Sequence, residues 1–197
     1  MKTKTKFLTT LTAAVLMLPS CAPSGMTRVS QTDISSAYTR SDLSVASGRG
    51  AVPVVFSGVV PATDKTAAER ALLAALPTYY TANLTWRAAT PADPETVTAR
   101  LVLAFGPDPI YPAERLCGLK PGFTVKAPSP TEPIRAVAAY CRGPSVLSST
   151  VGDVIDAAGV EGSKGRALVG DMANALLPMR VPGDDDLRSP LFLRVGS

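Results

Sequence analysis

Cysteines and carboxylates are the side chains of this sequence with chemistry to offer. Cys21 lies near the N-terminus, and Cys117 and Cys141 lie 24 residues apart. Asp108 and Glu114 flank a proline-rich stretch, and Asp184, Asp185 and Asp186 form a run near the C-terminus. Two carboxylates can cleave a glycosidic bond when their separation is fixed, one acting as acid and the other as base or nucleophile. Spacing on an irregular loop fixes no separation, so solvated loop charges are the plainer reading of Asp108 and Glu114. The aspartate run could offer hard oxygen ligands to a divalent cation. It lacks the alternating ligands and closing glutamate of an EF-hand loop, and a solvated acidic turn is the better reading. No metal site is expected.

What is missing restricts the chemistry further. The chain contains no histidine, which excludes a Ser-His-Asp triad, a Cys-His pair and every histidine-based zinc site. No serine has a lysine three residues later, so the Ser-x-x-Lys acyl-transfer signature is absent. Neither G-x-x-x-x-G-K-[ST] nor G-x-G-x-x-G occurs, so neither glycine-rich phosphate cradle is present. Cys117 and Cys141 are too far apart for a C-x-x-C redox pair. The chain is therefore expected not to be an enzyme and to need no cofactor. One segment suits an anion: Gly162, Ser163, Lys164 and Gly165 open a predicted helix, where free backbone N–H groups and a lysine could receive one. The alternative is a flexible loop with Ser163 as helix cap.

The first twenty residues divide into a start carrying Lys2, Lys4 and Lys6, an apolar run from Phe7 to Leu18, and Ser20 just before Cys21. That is the pattern of a secretory signal peptide. The apolar run is about a dozen residues, against the roughly 20 needed to cross a bilayer. Leu18-Pro19-Ser20-Cys21 resembles the bacterial lipobox, with Pro19 departing from the small residue usual at that position. The resemblance covers the leader only. It implies cleavage before Cys21, a diacylglyceryl group on its thiol, and attachment to a membrane through that lipid. Ala22 lacks the aspartate that often signals inner-membrane retention, so the resemblance implies the periplasmic face of the outer membrane. Ordinary secretion, with cleavage after Ser24, is the alternative.

Assigning Cys21 to lipid leaves Cys117 and Cys141 as an even pair in a compartment where disulfides persist. Closing a loop of that length is worth about 3 kcal/mol in the loop-entropy description. The alternative is two free buried thiols. Cleavage also removes three lysines and no acids, so a formal charge of +4 falls to +1. The basic character is largely a property of the leader, and no nucleic-acid partner is expected.

The elements that must position these residues follow from periodicity. Residues 21–50 are rich in Ser, Thr, Gly and Ala and read as a lipidated flexible tether, reaching about 30 Å on average. An α+β periplasmic domain is expected over 51–180, with 181–197 as a tail that could add an edge strand. Val52–Phe56 reads as a strand, with Pro53 placing it late or at an edge. Asp64–Leu76 reads as a helix capped by Thr63 or Asp64, and Tyr80–Trp86 as an alternating strand. Val97–Phe105 is the clearest strand. It directs Leu101, Leu103 and Phe105 one way and Arg100, Val102 and Ala104 the other, and its two apolar faces suggest a central place. Short strands follow at Phe123–Lys126, Ile134–Cys141 and Ser145–Ser149, then a helix over Ser163–Leu177. Successive strands without helices between them predict one domain with a mostly antiparallel sheet and about two helices on one face.

The expected function is a non-catalytic binding or accessory role towards another envelope component, a protein or the cell wall. A carboxylate-dependent glycan hydrolase and a periplasmic small-ligand carrier are the alternatives. The first needs a cleft with paired carboxyls, and the second a sizeable pocket.

Overall fold

The computed structural model describes residues 27–81, 84–93, 99–106 and 112–178. The α+β class is as the sequence predicts. Among the described residues seven strands form one sheet: β1 (Arg28–Ile34), β2 (Val52–Pro61), β3 (Trp86–Ala88), β4 (Arg100–Phe105), β5 (Gly122–Lys126), β6 (Ile134–Arg142) and β7 (Ser145–Val154). Their order is β1-β7-β6-β4-β2-β3, with β5 also on β2. The helices are α1 (Arg40–Gly48), α2 (Lys65–Ala75) and α3 (Ser163–Leu176).

The sheet is mixed. β1–β7, β7–β6 and β6–β4 run antiparallel, whereas β2 lies parallel to β3, β4 and β5. In the antiparallel half β6 and β7 are joined by the tight turn at Gly143-Pro144, whereas β1 and β4 come to them from distant parts of the chain. The parallel half requires crossovers, and α2 supplies the first of them.

β2 is longer than expected and lies inside the sheet, where its proline would be costly if a ladder bond were lost. The register explains the tolerance. β2 meets β3 over Val52–Val54, but its ladder with β4 begins only at Val54. The Val52 N–H and the Val54 carbonyl face the β3 side, so the Pro53 nitrogen points to the other side, just before β4 starts.

Residues 28–48, expected within the tether, are folded. β1 pairs with β7, and α1 packs against β2. Tyr38 and Leu43 are buried in the main core, with Val29, Ile34 and Ala46 packed against it. The apolar residues are sparse, but the sheet edge supplies hydrogen-bond partners that no local pattern announces. Among the described residues, regular structure therefore starts at Arg28, upstream of Ala51. The Tyr80–Trp86 alternation also misleads, because only Trp86–Ala88 forms a strand and Tyr79–Tyr80 lie in a turn.

The helices share one face of the sheet. Leu101, Leu103 and Phe105 pack there with Leu72 of α2 and with Leu168, Met172 and Leu176 of α3. Gly152 admits α3 closely, since a Cβ at that position would stand 2.7 Å from Leu168 Cδ1. Asp64 caps α2 by accepting the Ala67 N–H at 2.8 Å, as its residue type predicts. No helix among the described residues is long and apolar enough to cross a membrane.

Candidate functional site

The opposite face of the sheet is covered differently. Val102 and Ala104 of β4 lie there with Val55, Val137, Ala139 and Cys141, forming a small second core. Among the described residues no α-helix lies over this core. Its cover is a 3-10 turn at Ala113–Gly118, whose Leu116 and Cys117 are buried. Cys117 and Cys141 form a disulfide with Cα atoms 5.7 Å apart, tying that turn to β6.

Arg100 opens β4 on this face and keeps only 7% of its surface. Its Nη2 donates to the Cys117 carbonyl and, at 3.5 Å, weakly to that of Gly143. Its Nε has no acceptor. Among the described residues no carboxylate pairs with it. A guanidinium cannot shed its proton in response to burial, so this charge stays.

Beside Arg100 is a cavity of about 280 Å3. Its walls are Pro53, Val55, Ala89, Pro91, Leu119 and Pro121, with Lys120 and Asp93 as the other charged residues. Pro53, whose nitrogen is turned to the β4 side, and Arg100 at the start of β4 line the same end of the space. Asp93 is already occupied. It accepts from Arg87 at 2.5 and 2.8 Å and from the Thr90 N–H at 2.6 Å. The hydrogen bonds from Arg87, then from Thr90, hold its carboxyl well below the usual range despite partial burial. It is a fixed anion belonging to Arg87.

Sequence reasoning missed this site, although one signal was present. Arg100 is the lone charge at an inward-alternating position of an otherwise apolar strand. The partners that enclose it come from distant loops and could not be read.

The residues singled out in the sequence fare variously. Cys117 and Cys141 come together as the expected pair. At the start of α3 the structure corrects the anion site at Gly162, Ser163, Lys164 and Gly165, because the chain's own Asp156 fills it. Its carboxylate accepts from the backbone N–H groups of Lys164 at 3.0 Å and Gly165 at 3.1 Å. Burial alone would raise the Asp156 carboxyl, but backbone donors at Ala158, Gly165 and Lys164 outweigh it and hold the pKa down. A Cβ at Gly162 would collide with that carboxylate, so the space is taken. Ser163 makes no cap, and Gly162 is the N-cap residue.

Glu114 is exposed on the 3-10 turn, while its proposed partner Asp108 lies outside the described residues. Cys21 with the leader, Asp184 to Asp186, and the tail 181–197 also lie outside them. Among the described residues no group of three His, Cys, Asp or Glu side chains could hold a metal ion.

No protein-family model and no curated protein matches the chain. Among solved structures, the chain is similar to the PelC dodecamer from Paraburkholderia phytofirmans. The identity is 13% and the TM-score 0.39, over 79% of this chain and 100% of that one. A variant of the same PelC dodecamer in a second crystal form aligns over the same shares with a TM-score of 0.34. At that distance the chemistry must be argued from the residues themselves.

Proposed function

We propose that this chain is an exported lipoprotein, lipidated at Cys21, whose α+β domain binds another component of the cell envelope. The observation that carries the reading is the Cys117–Cys141 disulfide. Such bonds persist in oxidising compartments and are rare in the cytosol. The disulfide therefore agrees with the leader, which has a charged start, a short apolar run and Leu18-Pro19-Ser20-Cys21.

The fold changes what the lipid would do. With β1 beginning at Arg28, six residues separate it from Cys21. A fully extended chain over that step spans at most about 25 Å. A lipidated Cys21 would therefore hold the first strand close to the headgroups, and the tether is far shorter than the composition of residues 21–50 suggests. The binding surface then belongs near the membrane, facing other envelope components.

Metabolic labelling with a fatty-acid analogue tests the anchor. Wild type should take up label and Cys21→Ser should not, and label on both forms would sink the assignment. Crosslinking in intact cells tests the partner. A single dominant envelope complex recovered with the lipidated protein supports the reading, whereas recovery of glycan fragments alone speaks for action on cell-wall polymer.

A second reading, small-ligand carriage, is favoured by the cavity beside Arg100. At the ~30 Å3 share of a liquid water, 280 Å3 holds about nine waters, which suits a compact molecule.

A further inference from the structure

We infer that the cavity beside Arg100 is a binding site for a compact organic carboxylate, an anionic head carried on a small apolar body. The inference deepens the small-ligand reading above and does not depend on the lipid anchor.

Three observations converge. The first is a buried charge with no counter-charge among the described residues. Arg100 is more than nine-tenths buried, and it has no carboxylate partner among the described residues. Leaving a buried cation without a counter-charge is costly, and it cannot be relieved by loss of a proton. The second is unused donor capacity. A guanidinium carries five N–H groups. The acceptors reach Nη2 only, both of them neutral carbonyls, and Nε has none. The third is the space itself, which Arg100 lines together with proline, valine and leucine side chains. A ligand carboxylate in that space neutralises the guanidinium and offers it acceptors, while its apolar remainder meets Val55, Leu119 and Pro121.

The described carboxylate that lines the cavity does not satisfy Arg100. Asp93 borders the same cavity but is held by Arg87 and Thr90. It faces the entering anion as a like charge, which disfavours a dianion. Lys120 offsets it from the same cavity wall. The site therefore suits one negative charge on an apolar body better than inorganic phosphate, which has several charged oxygens and nothing to place against the prolines.

The experiment uses the full chain exported with Cys21→Ser, so that binding is measured whether or not the lipid assignment holds. Benzoate and cyclohexanecarboxylate are titrated by calorimetry, with benzamide and inorganic phosphate alongside. Benzoate should bind more tightly than benzamide by about tenfold or more, the scale of a hydrogen bond to a charged group. Phosphate should bind more weakly than either carboxylate. Arg100→Met preserves side-chain length and should abolish the preference for benzoate over benzamide. Leu119→Trp fills the cavity without touching the guanidinium and should weaken both. A thermal melt matching that of the parent shows that each variant is folded. The Arg100 Nε–H resonance should move on adding benzoate.

Equal affinity for benzoate and benzamide would overturn the carboxylate assignment and leave small-ligand binding standing. Absence of binding by any probe would overturn both. Benzoate binding that survives Arg100→Met at full strength would place the ligand elsewhere and overturn the site.

Discussion

The two faces of the sheet solve the burial problem in opposite ways. On the helix side, large side chains interlock: Phe56, Phe105, Leu72, Leu168 and Met172 belong to one core. Its polar groups are mostly satisfied in passing, as where the Ser148 hydroxyl donates to the Leu176 carbonyl at 2.7 Å. On the other side the buried residues are small, a disulfide holds the cover, and a cation is buried next to empty space. Among the described residues each face leaves one buried side-chain polar atom without a partner, Tyr140 Oη under the helices and Arg100 Nε opposite. The two are not equivalent. Burial, and then the nearby Asp42 carboxylate, push the Tyr140 phenol well above its usual range, so it stays neutral and its cost is that of one lost hydrogen bond. Arg100 has no neutral form to retreat to. One face can be read as stability alone, while the other retains an unsolved charge, and that difference makes it the functional candidate.

The strongest way to break this comparison is truncation on each face. Phe105→Ala removes a fully buried ring from the helix-side core and should cost about 3–5 kcal/mol. Val137→Ala on the opposite face removes two methyl groups beside small neighbours and should cost about 1–2 kcal/mol. Urea midpoints for the two variants would decide it. Equal losses would mean that the second core is packed as tightly as the first.

The disulfide should come next in size. Replacing Cys117 and Cys141 together by alanine should lower stability by about 3 kcal/mol, read from the denaturation midpoint of the exported protein. The disulfide ties the 3-10 turn at Ala113–Gly118 to β6, so that turn should loosen first, and hydrogen exchange should rise at Leu116 before it rises in β4. Loss confined to the helix side would contradict the division of labour.

This contrast also explains what the sequence disclosed. The helix-side core is periodic, so Leu101, Leu103 and Phe105 could be assigned to one face, and Arg100, Val102 and Ala104 to the other, by alternation alone. The Asp64 cap was legible because a cap acts within three residues. The Cys117–Cys141 pair followed once Cys21 had another role. Contacts at long range were hidden. β1 and α1 have too few apolar residues to announce themselves, and their order comes from pairing with a strand more than a hundred residues away. The start of α3 looked open to an anion because Asp156, which occupies it, reaches back from a loop rather than from the capping position. The Tyr79-Tyr80 turn disguised itself as a strand. Both hydroxyls donate to Asn174 on α3, at 2.5 and 2.8 Å, a tertiary tie that overrides the alternation. The Arg100 cavity depended on two separate loops, 89–93 and 118–121, closing over one strand end, so only its charge was visible.

The smallest expected effect concerns the rim of that cavity. Asp93 has its carboxyl pKa held down by Arg87 and Thr90. A carboxyl whose pKa is lower folded than unfolded stabilises the fold at pH values above its unfolded pKa, about 3.9. That contribution disappears as the pH falls towards the folded value, because the proton then binds both states. The Arg87 partner is 42% exposed, so solvent screening limits the gain to about 1 kcal/mol or less at neutral pH. Asp93→Asn should therefore destabilise by no more than that near pH 7, and the difference from wild type should close as the pH is lowered from about 4 to 2. A difference that persists undiminished at pH 2 would show that Asp93 acts through shape rather than charge.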